Sequence, residues 1–183
     1  MEATASSALW NSPDDWRGCL HRLGPRLLLF ARQWLPSASD AEDAVQDAFV
    51  RFWTRHRALD VSNQGLLFAA VRSAALDHLR REKRRVRREQ AAIGPEMAAG
   101  HASGESMFEP ALAGAGGDDE SRVLEAAVRA LPVEQREVLT LKIWGELTFA
   151  EIAVALAISP NTAASRYRYA LSALRKSFQP VQP

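Results

Sequence analysis

Apolar residues along this chain recur three and four positions apart and hardly anywhere alternate with polar ones, so the pattern predicts helices and no sheet. The first strong helix opens with Pro25 in its first turn, carries Leu27, Leu28, Phe30, Ala31 and Trp34, and ends before Pro36. A shorter helix from about Asp14, with Trp16, Leu20 and Leu23, precedes it. Ser39 or Asp40 caps the next helix, in which Val45, Ala48, Phe49, Phe52 and His56 form one stripe. After a loop containing Asp60, Ser62, Asn63 and Gly65, a third helix runs from about Leu66 through Leu67, Ala70, Val71, Ala74 and His78 to Arg88.

The last third is helical again, over Ser121 to Ala130 and Pro132 to Trp144. Thr148-Phe149-Ala150-Glu151 then reads as a capping box, with Phe149, Ile152 and Leu156 on the buried face of the helix it starts. A tight turn at Ala157-Ile158 leads to Ser159 as N-cap, Pro160 at the first helical position and a final helix to about Phe178. In that helix Ala163, Tyr167, Ala170, Leu171 and Leu174 share one side; Asn161, Ser165, Arg168 and Ser172 recur on the other. This is a helix-turn-helix with one packing face and one reading face. Small polar and basic side chains near a helix N-terminus suit entry into a DNA major groove. A helical hairpin serving only as core is the structural alternative.

Charge adds what periodicity cannot. The 183 residues hold 23 Lys plus Arg against 22 Asp plus Glu, yet the two signs are segregated. Asp40, Glu42, Asp43 and Asp47 crowd the start of the second helix with Gln46 among them, more acid than capping and the helix dipole require. At the far end of the third helix, residues 80 to 88 carry seven cations in nine positions, a density that points to a polyanion. From Gln90 to Glu120 there is no Lys or Arg, but six acids in a Gly/Ala/Pro/Ser background, which reads as a flexible acidic linker between two small all-α domains.

Other classes are disfavoured. The chain has no Gly-x-Gly-x-x-Gly, no Gly-Lys-Ser/Thr phosphate loop, no Gly-x-Ser-x-Gly and no His-Glu-x-x-His. Its four histidines lack ligand spacing and Cys19 is alone, so neither a metal nor a cofactor nor a disulfide is expected. The longest aliphatic run ends at Arg32, far short of a membrane span, and Met1 to Asp15 does not read as a secretory signal. A cytoplasmic protein is the expectation.

Three motifs in order, Asp40-Ala41-Glu42-Asp43-Ala44-Val45-Gln46-Asp47-Ala48-Phe49, Ala75-Leu76-Asp77-His78-Leu79-Arg80-Arg81, and Leu131-Pro132-Val133-Glu134-Gln135-Arg136-Glu137-Val138-Leu139 before the helix-turn-helix, resemble a bacterial RNA polymerase sigma factor of the extracytoplasmic-function (ECF) group. The resemblance spans roughly Pro25 to Phe178. It implies a non-catalytic initiation subunit with core RNA polymerase and promoter DNA as partners. Asp40, Glu42, Asp43, Gln46 and Asp47 would dock on the clamp helices of the β′ subunit, with further contact to the β subunit. Arg72, Ser73, Asp77, Arg80, Arg81, Lys83, Arg84 and Arg85 would hold the melted minus-10 element. Ser159, Asn161, Thr162, Ser165, Arg166 and Arg168 would read the minus-35 element.

The implied organisation is an N-terminal extension with a short helix over 1–24, a core-binding and minus-10 domain over 25–90, a linker over 91–120, a winged-helix-like helix-turn-helix domain over 121–178, and a tail over 179–183. An anti-sigma factor is a further partner the group implies. The sequence departs from the group at Leu66, where Trp is frequent, at Ser73, where Asn is, at Ala157, a frequent turn Gly, and at Ala164, where Lys is common. A stand-alone helix-turn-helix regulator binding duplex operator is the rival reading; such a protein needs no polymerase.

Overall fold

Sequence rules place a proline near a helix start, but the first helix passes straight through one. In the computed structural model, which describes residues 15–56, 64–93 and 118–178, α1 spans Asp15–Ala31 with Pro25 inside it. The expected short helix before Pro25 and the helix after it are one element. Proline at 25 removes one backbone bond and crowds the carbonyl four residues back. Here His21, Arg22 and Pro25 all lie on the exposed side, and Gly24 lacks the Cβ that would clash with the proline ring. The opposite side of the helix buries Cys19, Leu23, Leu27 and Phe30, whose burial outweighs the lost bond.

Helix α2, Ala38–His56, is capped by Ser37, not by Ser39 or Asp40: the Ser37 hydroxyl accepts from the Asp40 amide at 3.3 Å. Ala41, Ala44, Val45, Ala48, Phe49 and Phe52 form its buried stripe, while His56 lies exposed at the stripe's end with its ring 4.6 Å from that of Phe52. Helix α3, Gln64–Ile93, starts two residues before the expected Leu66 and continues past the basic run. It packs on α2 and α1 through Leu67, Phe68, Val71, Ala74 and Ala75, and Phe68 meets Phe30 edge-on at 5.6 Å.

The second half holds α4 (Asp118–Arg129), α5 (Val133–Ile143), α6 (Phe149–Leu156) and α7 (Pro160–Ser177). Among the described residues there is no strand, so the helix-turn-helix carries no β wing there. The expected loop at Asp60 to Asn63, most of the linker, the tail and the first residues of the N-terminal extension lie outside the described residues.

The capping box is formed in full: the Thr148 hydroxyl accepts from the Glu151 amide at 3.2 Å and the Glu151 carboxylate accepts from the Thr148 amide at 2.7 Å. Thr148→Ala should cost about 1 kcal/mol and lower Tm by about 3 °C for a chain of this size. A thermal melt in which Tm does not move would show that this box is not holding α6.

The two halves share one core. Leu67, Phe68 and Val71 belong to the same buried cluster as Val138, Leu141, Leu147, Ile152 and Leu156, and Leu29 of α1 packs into a second cluster with Val128, Leu131, Leu139 and Ala170. The contact runs chiefly along α3 and α6, with α1 against α5 beside it.

Candidate nucleic-acid interface

The buried stripe of α2 decides where its acids point. With Ala41, Ala44, Val45 and Ala48 inward, Glu42, Asp43, Gln46 and Asp47 are exposed, and only Asp40 stands in the first turn. The excess acid therefore forms an outward face and does not serve the helix dipole. Asp40 lies 3.6 Å from His78 of α3, and Asp47 pairs with Arg51 at 3.2 Å. Between α2 and α3 runs a polar groove of about 310 Å³, lined in part by Asp43, Asp47, Asp77, His78 and Arg81.

The basic end of α3 partly neutralises itself. Arg80 pairs with Asp77 at 3.0 Å, and Arg85 bridges Glu82 at 2.6 Å and Glu89 at 3.1 Å. The hydrogen bond from Arg85 holds the Glu82 carboxyl below the usual range, and the two acids raise Arg85 above its own. Arg81, Lys83, Arg84 and Arg87 are exposed and make no ion pair among the described residues. Ser73, also exposed, lines a wider hollow of about 680 Å³ between α2 and α3, with Phe52 and Ala70 among its apolar residues and Arg51, Arg55 and His56 among its polar ones.

Arg72 is placed elsewhere. Its guanidinium sits 6.0 Å from the Trp34 ring centroid and donates from Nε to Glu137 Oε1 of α5 at 2.6 Å, across the boundary between the halves. Glu137 is 2% exposed. Burial pushes its carboxyl above the ordinary range, while the bond from Arg72, then the charges of Arg72 and Arg166, pull the other way. Arg72, expected on the DNA surface, is in this structure bound to protein. Glu137 was not among the expected site residues: it ends the polar run Glu134-Gln135-Arg136-Glu137, and nothing in the sequence sets it apart from its neighbours.

On α7, the Ser159 hydroxyl accepts from the Thr162 amide at 3.0 Å, so the helix starts where the sequence places it. Ala157 holds the turn with φ of 54°, the left-handed conformation a glycine adopts without strain. Ser159, Asn161, Thr162 and Arg168 are exposed; Ser165 and Arg166 are half-buried. Arg168 donates to Ser165 at 3.3 Å. Ala163 and Ala170 are buried on the opposite side, so the polar and packing faces of the helix separate as expected.

Burial pushes the Cys19 thiol up to about 11, which fits an inert packed side chain. Among the described residues no His, Cys, Asp and Glu cluster could hold a metal ion, and no helix is long and apolar enough to cross a membrane.

These features define a class first: a helical DNA-binding protein with a helix-turn-helix half joined to a half bearing separate acidic and basic faces. The family models for Sigma-70 region 2 and Sigma-70 region 4 match residues 19–85 and 121–174. The ECF RNA polymerase sigma factor RpoE of Cereibacter sphaeroides is 28% identical over 142 residues, covering 76% of this chain and 72% of that protein. The ECF RNA polymerase sigma factor SigK of Mycobacterium tuberculosis is 32% identical over 139 residues, covering 74% and 70%. In fold, the chain is similar to the sigma factor RpoE of Bartonella quintana, solved in complex with the anti-sigma factor NepR, at a TM-score of 0.65 and 22% identity, covering 92% of this chain and 99% of that one. The chain belongs to the ECF RNA polymerase sigma factors, and so binds core RNA polymerase and directs promoter-specific initiation.

Proposed function

We propose that this sigma factor docks on the β′ clamp helices through Asp40, Glu42, Asp43, Gln46 and Asp47, captures the minus-10 element on α3, and reads the minus-35 element with α7. The observation that supports the reading is the exposure of Glu42, Asp43, Gln46 and Asp47 along α2 beside the exposed cations of α3, so that one half offers a surface for a basic partner and another for DNA.

For the minus-10 element, Ser73, Arg80, Arg81, Lys83, Arg84 and Arg85 face the melted strand, and Asp77 orients Arg80. The hollow beside Ser73 has room for one unstacked base, with apolar walls to receive its face and Arg51 and Arg55 to hold phosphate. Arg72 joins them once it is released from Glu137. Base capture there promotes melting, since an unstacked base held by protein is lost to the duplex. An anti-sigma factor is a proposed regulator, and the cytoplasm, where the polymerase works, the proposed location.

For the minus-35 element, Ser159, Asn161, Thr162, Ser165, Arg166 and Arg168 stand at or near the start of α7, the end that enters a major groove. Arg168 is the more exposed arginine. Arg168→Ala should weaken holoenzyme binding to its promoter by about 1–3 kcal/mol and relax preference at one position, as loss of a bidentate base contact does. Holoenzyme affinities measured on single-base promoter variants check this. Equal weakening on every variant would make Arg168 a phosphate contact, and no weakening would remove it from the DNA surface.

A further inference from the structure

The chain has two tyrosines, and they stand two positions apart on α7. Tyr167 turns inward: half-buried, it packs on the core with its ring edge-on to Phe149 at 5.8 Å. Tyr169 turns outward. It is 64% exposed and makes no hydrogen bond or ring contact among the described residues. A bare aromatic ring leaves a large apolar area in water, and tyrosine is a poorer helix former than alanine, so neither packing nor helix propensity accounts for it.

The place of the ring on the helix gives it a use. Successive residues turn by about 100°, which puts Tyr169 one turn beyond Ser165 and one turn before Ser172, away from the buried Ala163 and Ala170. This is the polar face of α7, where Asn161, Ser165, Arg168 and Ser172 surround the ring. The Arg168 guanidinium reaches back to Ser165 at 3.3 Å and does not lie over Tyr169. Exposed Arg168, Arg175 and Lys176 already offer charge to phosphates along this half of the helix, so the neutral ring adds a contact of another kind.

A major groove presents one apolar feature on its base edges, the 5-methyl group of thymine. Tyr169 lies about 12 Å along α7 from Asn161 at about 1.5 Å per residue, against about 3.4 Å between base pairs, so it meets a different base pair from the one beneath the helix start. We propose that Tyr169 is a specificity-determining residue of minus-35 reading: its ring packs on the methyl group of one thymine in that element. The inference rests on α7 being the minus-35 reader. It selects thymine, where a bidentate hydrogen-bonding side chain would select guanine or adenine.

Uracil tests this at the level of one methyl group. Holoenzyme formed with the full chain selects promoters from a random pool, and each thymine of the upstream element, on either strand, is replaced in turn by uracil. One replacement should weaken binding about fourfold, the effect of one buried carbon. In Tyr169→Ala that same replacement should cost nothing, while the unmodified promoter is bound about tenfold more weakly. Tyr169→Phe should behave as the parent, because the ring makes the contact and the hydroxyl does not. Alanine at an exposed helical position leaves the fold intact.

A uracil penalty that survives in Tyr169→Ala, or an upstream element in which no thymine methyl matters, overturns the proposal while leaving α7 as the reader. Equal loss in Tyr169→Phe and Tyr169→Ala would make the residue a phosphate contact through its hydroxyl, and overturns it too. Promoters selected without any upstream motif would overturn the minus-35 reading itself, and this proposal with it.

Discussion

Asp43→Arg should reduce binding to core RNA polymerase by at least about 100-fold and leave the fold unchanged. Asp43 is exposed on the outward face of α2, one residue from the buried Ala44, and makes no ion pair among the described residues. Reversing its charge removes one attraction to a basic partner and adds a repulsion, and like charges across an interface cost several kcal/mol. About 2.8 kcal/mol is already 100-fold. Asp47 offers a smaller effect, because Arg51 already neutralises part of its charge at 3.2 Å. A surface substitution of this kind moves stability by about 0.5 kcal/mol or less, so the thermal melt should hardly change. Titration of labelled core polymerase with the variant gives the answer, and full binding would move the docking surface off α2.

The largest effect on the fold should come from Phe68→Ala. Phe68 is fully buried on α3 and meets Phe30 edge-on at 5.6 Å; Phe30 in turn meets Trp34 at 5.0 Å. Truncation removes the transfer free energy of the ring and leaves a cavity between α1 and α3 that helix backbones cannot collapse, about 3–5 kcal/mol in all. Against a total stability of about 5–15 kcal/mol, that lowers Tm by about 10 °C. Phe68→Leu should cost less than half as much, since it keeps most of the volume. Parallel thermal melts compare the three proteins, and a Phe68→Ala variant melting with the parent would contradict the packing described.

Much of this molecule is written locally. The helix-turn-helix could be read because its signals are short: Thr148 and Glu151 cap each other three residues apart, Ser159 caps α7, and Pro160 needs no amide partner. The outward acids of α2 follow from the alanine and phenylalanine stripe behind them. Two local rules misled. Pro25 reads as a helix start, yet tertiary burial of Cys19, Leu23 and Leu27 carries the helix through it, and Ser37 caps α2 ahead of the equally plausible Ser39. The contact between the halves was not legible. Arg72 and Glu137 lie 65 positions apart, and no period of three or four links them. The size limit on Gly65 comes from Glu151, on another helix, whose carbonyl oxygen would stand 2.5 Å from an added Cβ. A sequence pattern records which side of a helix is apolar, but not which of two apolar helices will cover it.

Initiation by this protein on purified core RNA polymerase, with a pool of random promoter sequences as template, is the most direct measurement. Transcripts that require the protein and share two motifs, at about 10 and about 35 base pairs upstream of their starts, are the predicted result for an initiation subunit with two separate DNA-reading surfaces. Transcripts no more frequent with the protein than without it, while the protein alone binds duplex DNA, would contradict it.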